Sequence, residues 1–134
     1  MWARWVTMAE ARAVDPRAVD ALLAGLARAL LARWAKWPRP LAGARVIFVV
    51  TDARPALVRT LHLEAARPRL VTGLVPPGPR DRFAVLRLTA DALSALIRGA
   101  APAEPKLVAE GNTPELLPAI GRLLGSAPTP SASG

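Results

Sequence analysis

The chain contains no cysteine, a single histidine, His62, and lysine only at Lys36 and Lys106. Without thiols there is no cysteine nucleophile, disulfide framework or thiolate metal site, a composition that a reducing compartment permits. One histidine builds no metal site unless the fold brings carboxylates to it. Its strand position beside Thr60 and Glu64 reads as a polar-face or edge residue. The glycines form neither a GxGxxG nor a GxxxxGK motif, so no phosphate-cradling loop is expected. Glu10, Glu64, Glu104, Glu110 and Glu115 show no helical spacing that pairs two carboxylates, and Asp52, Asp81 and Asp91 stand at predicted turns or a helix start, where local hydrogen bonding accounts for them. No catalytic residue, metal or cofactor is therefore assigned, and the chain reads as a non-enzyme. Long apolar runs are also missing. The richest stretch, 18–32, is broken by Asp20 and Arg28 and falls short of the roughly 20 uninterrupted apolar residues of a membrane span. Residues 1–12 show no apolar signal core. A cytoplasmic protein is expected.

What is present is apolar bulk and arginine. The 134 residues suit one domain, and 52% of them are hydrophobic. Such an excess without a span implies a large core, an internal cavity or an exposed apolar surface. The formal net charge is +8, nearly all from arginine, and it belongs to the first hundred residues, because from Gly99 onward Lys106 and Arg122 face Glu104, Glu110 and Glu115. A compositional bias toward arginine, alanine and proline accounts for much of it. A basic face of this kind suits an anionic membrane surface. Nothing in it indicates nucleic-acid reading.

Three parts are expected: an arm at 1–14, a domain at 15–125 and a small, polar, proline-containing disordered tail at 126–134. Asp15-Pro16 supplies a cap and a first-position proline for a helix whose stripe is Val19, Leu22, Leu23, Leu26, Leu30, Trp34 and Trp37, ended by Pro38 and Pro40. Residues 45–51 are a β-branched run suited to a buried strand. Residues 57–65 alternate, with Arg59 breaking the apolar face, and 69–75 form a further strand before the Pro76-Pro77-Gly78-Pro79 loop. Residues 83–88 are strand, and Thr89 caps a helix with Asp91 in its first turn and Gly99 at its end. Residues 106–110 are short and extended, Gly111-Asn112 turns, and Thr113-Pro114-Glu115 opens a last helix near Pro114 that carries Leu116, Leu117, Ile120, Leu123 and Leu124. The order predicts an α+β fold: a five-stranded, mostly antiparallel sheet with helices covering one face.

This order, and above all LRLTADALSALIRG, LVAEGN and TPELLPAIGRLL within residues 86–124, resembles the sterol carrier protein type 2 family of nonspecific lipid-transfer proteins, in a compact bacterial-type form. The resemblance spans about 19–124 and implies a sterol-carrier-like fold without a catalytic motif. Asn112 stands where the family usually has an acid, and the spacer from Gly99 to Lys106 is several residues shorter than usual. The family places a short helix there, near the mouth of its lipid tunnel, so the resemblance implies a shallow, open or absent tunnel.

A carrier of this kind would enclose a lipid, isoprenoid or polyketide-like ligand with Phe48, Leu61, Leu63, Leu86, Leu88, Leu93, Leu96, Leu116 and Ile120. A filled core needs the same residues at the same periods. Two alternatives stand beside lipid transfer. One is a degenerate carrier fold serving as an accessory module that docks on a partner protein of a biosynthetic pathway; the other is a cyclase-like enzyme with His62, Arg59 or Glu110 pointing into the pocket. Trp34 and Trp37 are expected to pack on the sheet, and Trp2 and Trp5 either to lie at a membrane interface or over a cavity mouth or to belong to a disordered terminus.

Overall fold

A computed structural model of the chain describes residues 14–72, 76–100 and 106–125. The expectations placed on Trp2 and Trp5, on the 126–134 tail and on 101–105 of the spacer lie outside the described residues. Among the described residues three helices and five strands form an α+β fold, in the order α1 (Pro16–Leu31), β1 (Ala44–Val50), β2 (Leu57–Leu63), β3 (Pro68–Thr72), β4 (Phe83–Leu88), α2 (Ala90–Ile97), β5 (Leu107–Glu110) and α3 (Leu116–Gly125).

Helix α1 begins as its sequence dictates. Asp15 adopts an extended backbone and its side chain accepts from the Arg17 amide, while Pro16 fills a position that needs no donor. Its end departs from the expected stripe. The α-helix stops at Leu31, and Trp34–Lys36 and Arg39–Leu41 are single 3-10 turns. The cause lies in the indoles. Residues three apart eclipse in a 3-10 turn, and the rings of Trp34 and Trp37 stack with centroids 4.9 Å apart and planes 9° apart. The Trp34 indole N–H also donates to the Glu64 carbonyl at 2.9 Å, and Pro38 disfavours helical geometry at Trp37. Both tryptophans are buried.

The sheet is mixed, in the order β3-β2-β1-β4-β5. β1–β2, β2–β3 and β4–β5 are antiparallel, but β1 and β4 run parallel, from Arg45 opposite Phe83 to Val50 opposite Leu88. That pairing was not anticipated. It arises because β3 already runs parallel to β1, so the 73–82 connection carries the chain back to the end where β1 starts. Arg45 ties this connection down, donating to the Pro76 carbonyl at 3.1 Å and lying 3.4 Å from Asp81.

Alternation along β1 separates the two faces. Ala44, Val46, Phe48 and Val50 are fully buried and join one cluster with Val19, Leu23 and Leu26 of α1, Leu93 and Leu96 of α2, and Leu116 and Ile120 of α3. All three helices therefore cover the same face. Burial on this scale stabilises by about 1.5–3 kcal/mol for each large side chain such as Phe48. Arg59 lies on this covered face, opposite Phe48 of β1. Its guanidinium forks onto Asp20 of α1, Nε to Oδ1 at 2.9 Å and Nη2 to Oδ2 at 3.1 Å. Asp20, which interrupts the apolar run in sequence, thus pins helix to sheet. With the carboxylate half exposed, the pair contributes about 1 kcal/mol or less.

Candidate functional site: an apolar groove between the last two helices

Helix α2 starts as expected, with the Thr89 hydroxyl accepting from the Ala92 amide at 3.2 Å and Asp91 in the first turn. A second cap comes from a distance. Asp52 Oδ1 accepts from the Ala90 amide at 2.9 Å, so Asp52 is a long-range helix cap rather than a purely local turn residue. At the other end Gly99 takes φ +83°. Its amide returns to the Leu96 carbonyl and the Ala100 amide to the Ala95 carbonyl, both at 2.9 Å, the paired bonds of a glycine-closed helix terminus.

Helix α3 begins at Leu116, two residues after the expected start at Pro114. Thr113 does not cap it through its hydroxyl, which donates instead to Asn112 Oδ1 at 2.7 Å. Pro118 falls in the first turn, where its missing N–H costs nothing. The two helices meet at glycines: a Cβ placed on Gly99 would lie 2.9 Å from Gly125 Cα, so this contact closes only without a side chain.

Beside this contact the helices diverge around an apolar groove of about 390 Å³. Leu96, Gly99 and Ala100 form one wall, Leu117, Pro118 and Gly121 the other, and Arg122 stands at the rim as the one charged lining residue among those described. The volume falls in the range of small-molecule sites. Gly121 leaves room without being required by packing, since a Cβ built there meets nothing within 4 Å. The groove lies beside Gly99, where the spacer to Lys106 begins.

The nine residues expected to enclose a ligand are brought together, each at 0–1% exposure. Phe48, Leu61, Leu63, Leu86, Leu88, Leu93, Leu116 and Ile120 pack against one another in the core, and of the nine only Leu96 also lines the groove. Sequence reasoning did not single out Gly99, Ala100, Pro118, Gly121 and Arg122 as site residues. One signal was available: Gly121 follows Leu117 by one helical turn in an otherwise bulky stripe, which notches the helix surface.

None of the three polar residues considered for a cyclase-like pocket lines this groove. Arg59 is held by Asp20, and Glu110 Oε1 accepts from exposed Arg87 on the opposite sheet face at 2.8 Å. His62 sits on that same opposite face, between Arg45 and Arg69 on the neighbouring strands. Burial, then the charges of Arg45 and Arg69, holds its pKa below the ordinary histidine value against the pull of Glu64. Its Nε2 is buried without a partner. Asn112, which departs from the family's acid, does work a carboxylate does not: Oδ1 accepts from the Phe83 amide at 2.9 Å while Nδ2 donates to the Asp81 carbonyl at 2.8 Å. It clasps the start of β4.

Among the described residues no three of His, Asp and Glu cluster closely enough to hold a metal ion, and no helix is long and apolar enough to cross a membrane. Comparison with protein-family models, with curated proteins and with solved structures finds no match to this chain.

Proposed function

We propose that the chain is a non-enzymatic binder or carrier of a small hydrophobic molecule, in the manner of a sterol-carrier-like protein, and that the α2–α3 groove is its site. The reading rests on the groove itself: six apolar or small residues, one cation and about 390 Å³ between two helices. Affinity there comes from desolvation, at roughly 25 cal/mol per Å² of apolar surface buried, and demands few polar contacts. The element order from α1 to α3 is the one that carries the family resemblance in the sequence, which favours the sterol-carrier-like assignment. An open groove in place of a tunnel accords with the shortened spacer.

The test is a titration in which a panel of acyl chains, sterols and quinones displaces a fluorescent acyl probe from the full chain. Saturable, competitive displacement is expected. Absence of saturable binding across the panel overturns the reading.

The packed interior favours a second reading. With eight of the nine expected ligand residues occupied by one another, the fold also suits an accessory module whose groove receives a side chain of a partner enzyme. Failure of every small ligand, together with capture of a defined pathway enzyme in stoichiometric complex, would select it.

A further inference from the structure

The groove is one of three adjoining clefts. Arg122 also lines a smaller cleft with Lys36, Pro38, Ala119 and Leu123, of about 200 Å³. On the far side of the Trp34–Lys36 turn lies a third, of about 760 Å³, lined by Leu31, the stacked tryptophans and Arg39 among others. The first two clefts share Arg122, and the segment from Trp34 to Arg39 supplies lining residues to both the second and the third.

Among the described residues, charge lining these clefts has one sign. Lys36, Arg39 and Arg122 are exposed, and among the described residues no acid lines any of the three clefts. Among the described residues none of the three cations has an ion-pair partner. Four acids are engaged by other arginines: Asp20, Asp81, Glu64 and Glu110 pair with Arg59, Arg45, Arg69 and Arg87. The cleft that contains Arg80 and Arg82, by contrast, also holds Asp81 and Glu115. Leu31, at 52% exposure, is the one exposed large hydrophobic side chain among the described residues, and it sits on the same cationic surface. Unpaired cations around an exposed leucine and apolar clefts complement a bilayer interface: the cations meet anionic headgroups while the leucine enters the acyl boundary. A nucleic acid would use the cations but leave the leucine and the apolar cleft walls unsatisfied.

We infer that this face, centred on Leu31, Lys36, Arg39 and Arg122, docks on an anionic lipid bilayer. Arg122 belongs to both this face and the ligand groove, but Leu31, Lys36 and Arg39 do not line the α2–α3 groove, so the two proposals can be tested apart.

Sedimentation of the full chain with phosphatidylcholine vesicles, with and without phosphatidylglycerol, tests it. Binding is expected only with phosphatidylglycerol and should weaken as salt rises. Lys36→Glu and Arg39→Glu are each expected to lower it about fivefold or more, as loss of a surface cation implies. Leu31→Ser should lower it at unchanged salt dependence, while Arg54→Glu, an exposed arginine at the β1–β2 turn, should leave it unaltered. Displacement of the acyl probe in vesicle-free solution is expected to be unchanged in the Leu31, Lys36 and Arg39 variants, so the docking surface and the ligand groove fail separately. The inference is overturned by absence of binding to phosphatidylglycerol vesicles, by an equal loss in Arg54→Glu, or by tight binding of an acidic polypeptide such as polyglutamate to the same face with none to vesicles.

Discussion

Two apolar regions share Leu96 and differ in how they end. Beneath α1 the core is built largely of bulky side chains, and Phe48, Leu86 and Leu116 have no exposure at all. Between α2 and α3 the corresponding positions are Gly99, Ala100 and Gly121, and space remains. The two glycines are small for different reasons. Gly99 is compelled by a positive φ and by Gly125 against it, whereas Gly121 sits in an ordinary helix with open space where its side chain would be. A helix-interior glycine costs about 0.5–1 kcal/mol relative to alanine. At Gly121 no contact among the described residues repays that cost.

The strongest way to break the contrast is to make the core resemble the groove. Phe48→Ala opens a cavity where no neighbour can collapse fully, and a loss of about 3–5 kcal/mol is expected in urea or thermal unfolding. A cost under about 1 kcal/mol would mean that the interior is loosely filled and already able to accept a ligand. The converse change makes the groove resemble the core. Gly121→Ala is expected to raise stability by about 0.5–1 kcal/mol, and Gly121→Leu to keep the fold while reducing acyl-probe affinity tenfold or more. Unaltered displacement in Gly121→Leu would move the ligand site away from the groove. The smallest effect belongs to the opposite sheet face. The His62 pKa is lowered in the folded state, so the unfolded chain binds more protons; this contribution is fully present above the unfolded value of about 6.5 and is lost as pH falls through it. His62→Gln should flatten the pH dependence of unfolding below about pH 6.5, and an unchanged profile would show that burial and the charges of Arg45, Arg69 and Glu64 do not act on the ring as described.

Much of the fold is legible in the sequence where its cause is local. Asp15-Pro16, Thr89 with Asp91, and Gly99 mark helix ends because a cap bonds an amide two or three residues away, and β4 was read at its observed limits, 83–88, from alternation alone. The groove was less legible. Its walls include Leu96 and Leu117, apolar residues that any core helix would carry, and what distinguishes them is an absence of side chain at Gly121 that only the neighbouring helix makes meaningful.

By itself, then, the chain determined its element order and the side of each element that is apolar, because those depend on hydrogen bonds and periods spanning a few residues. Tertiary structure alone decided the rest. It set β4 parallel to β1, carried Asp52 to the amide of Ala90 across 38 positions and Asp20 to Arg59 across 39, and turned the ends of two helices into a groove. Such partners are chosen by how the chain returns on itself, and no local pattern in the residues encodes that return.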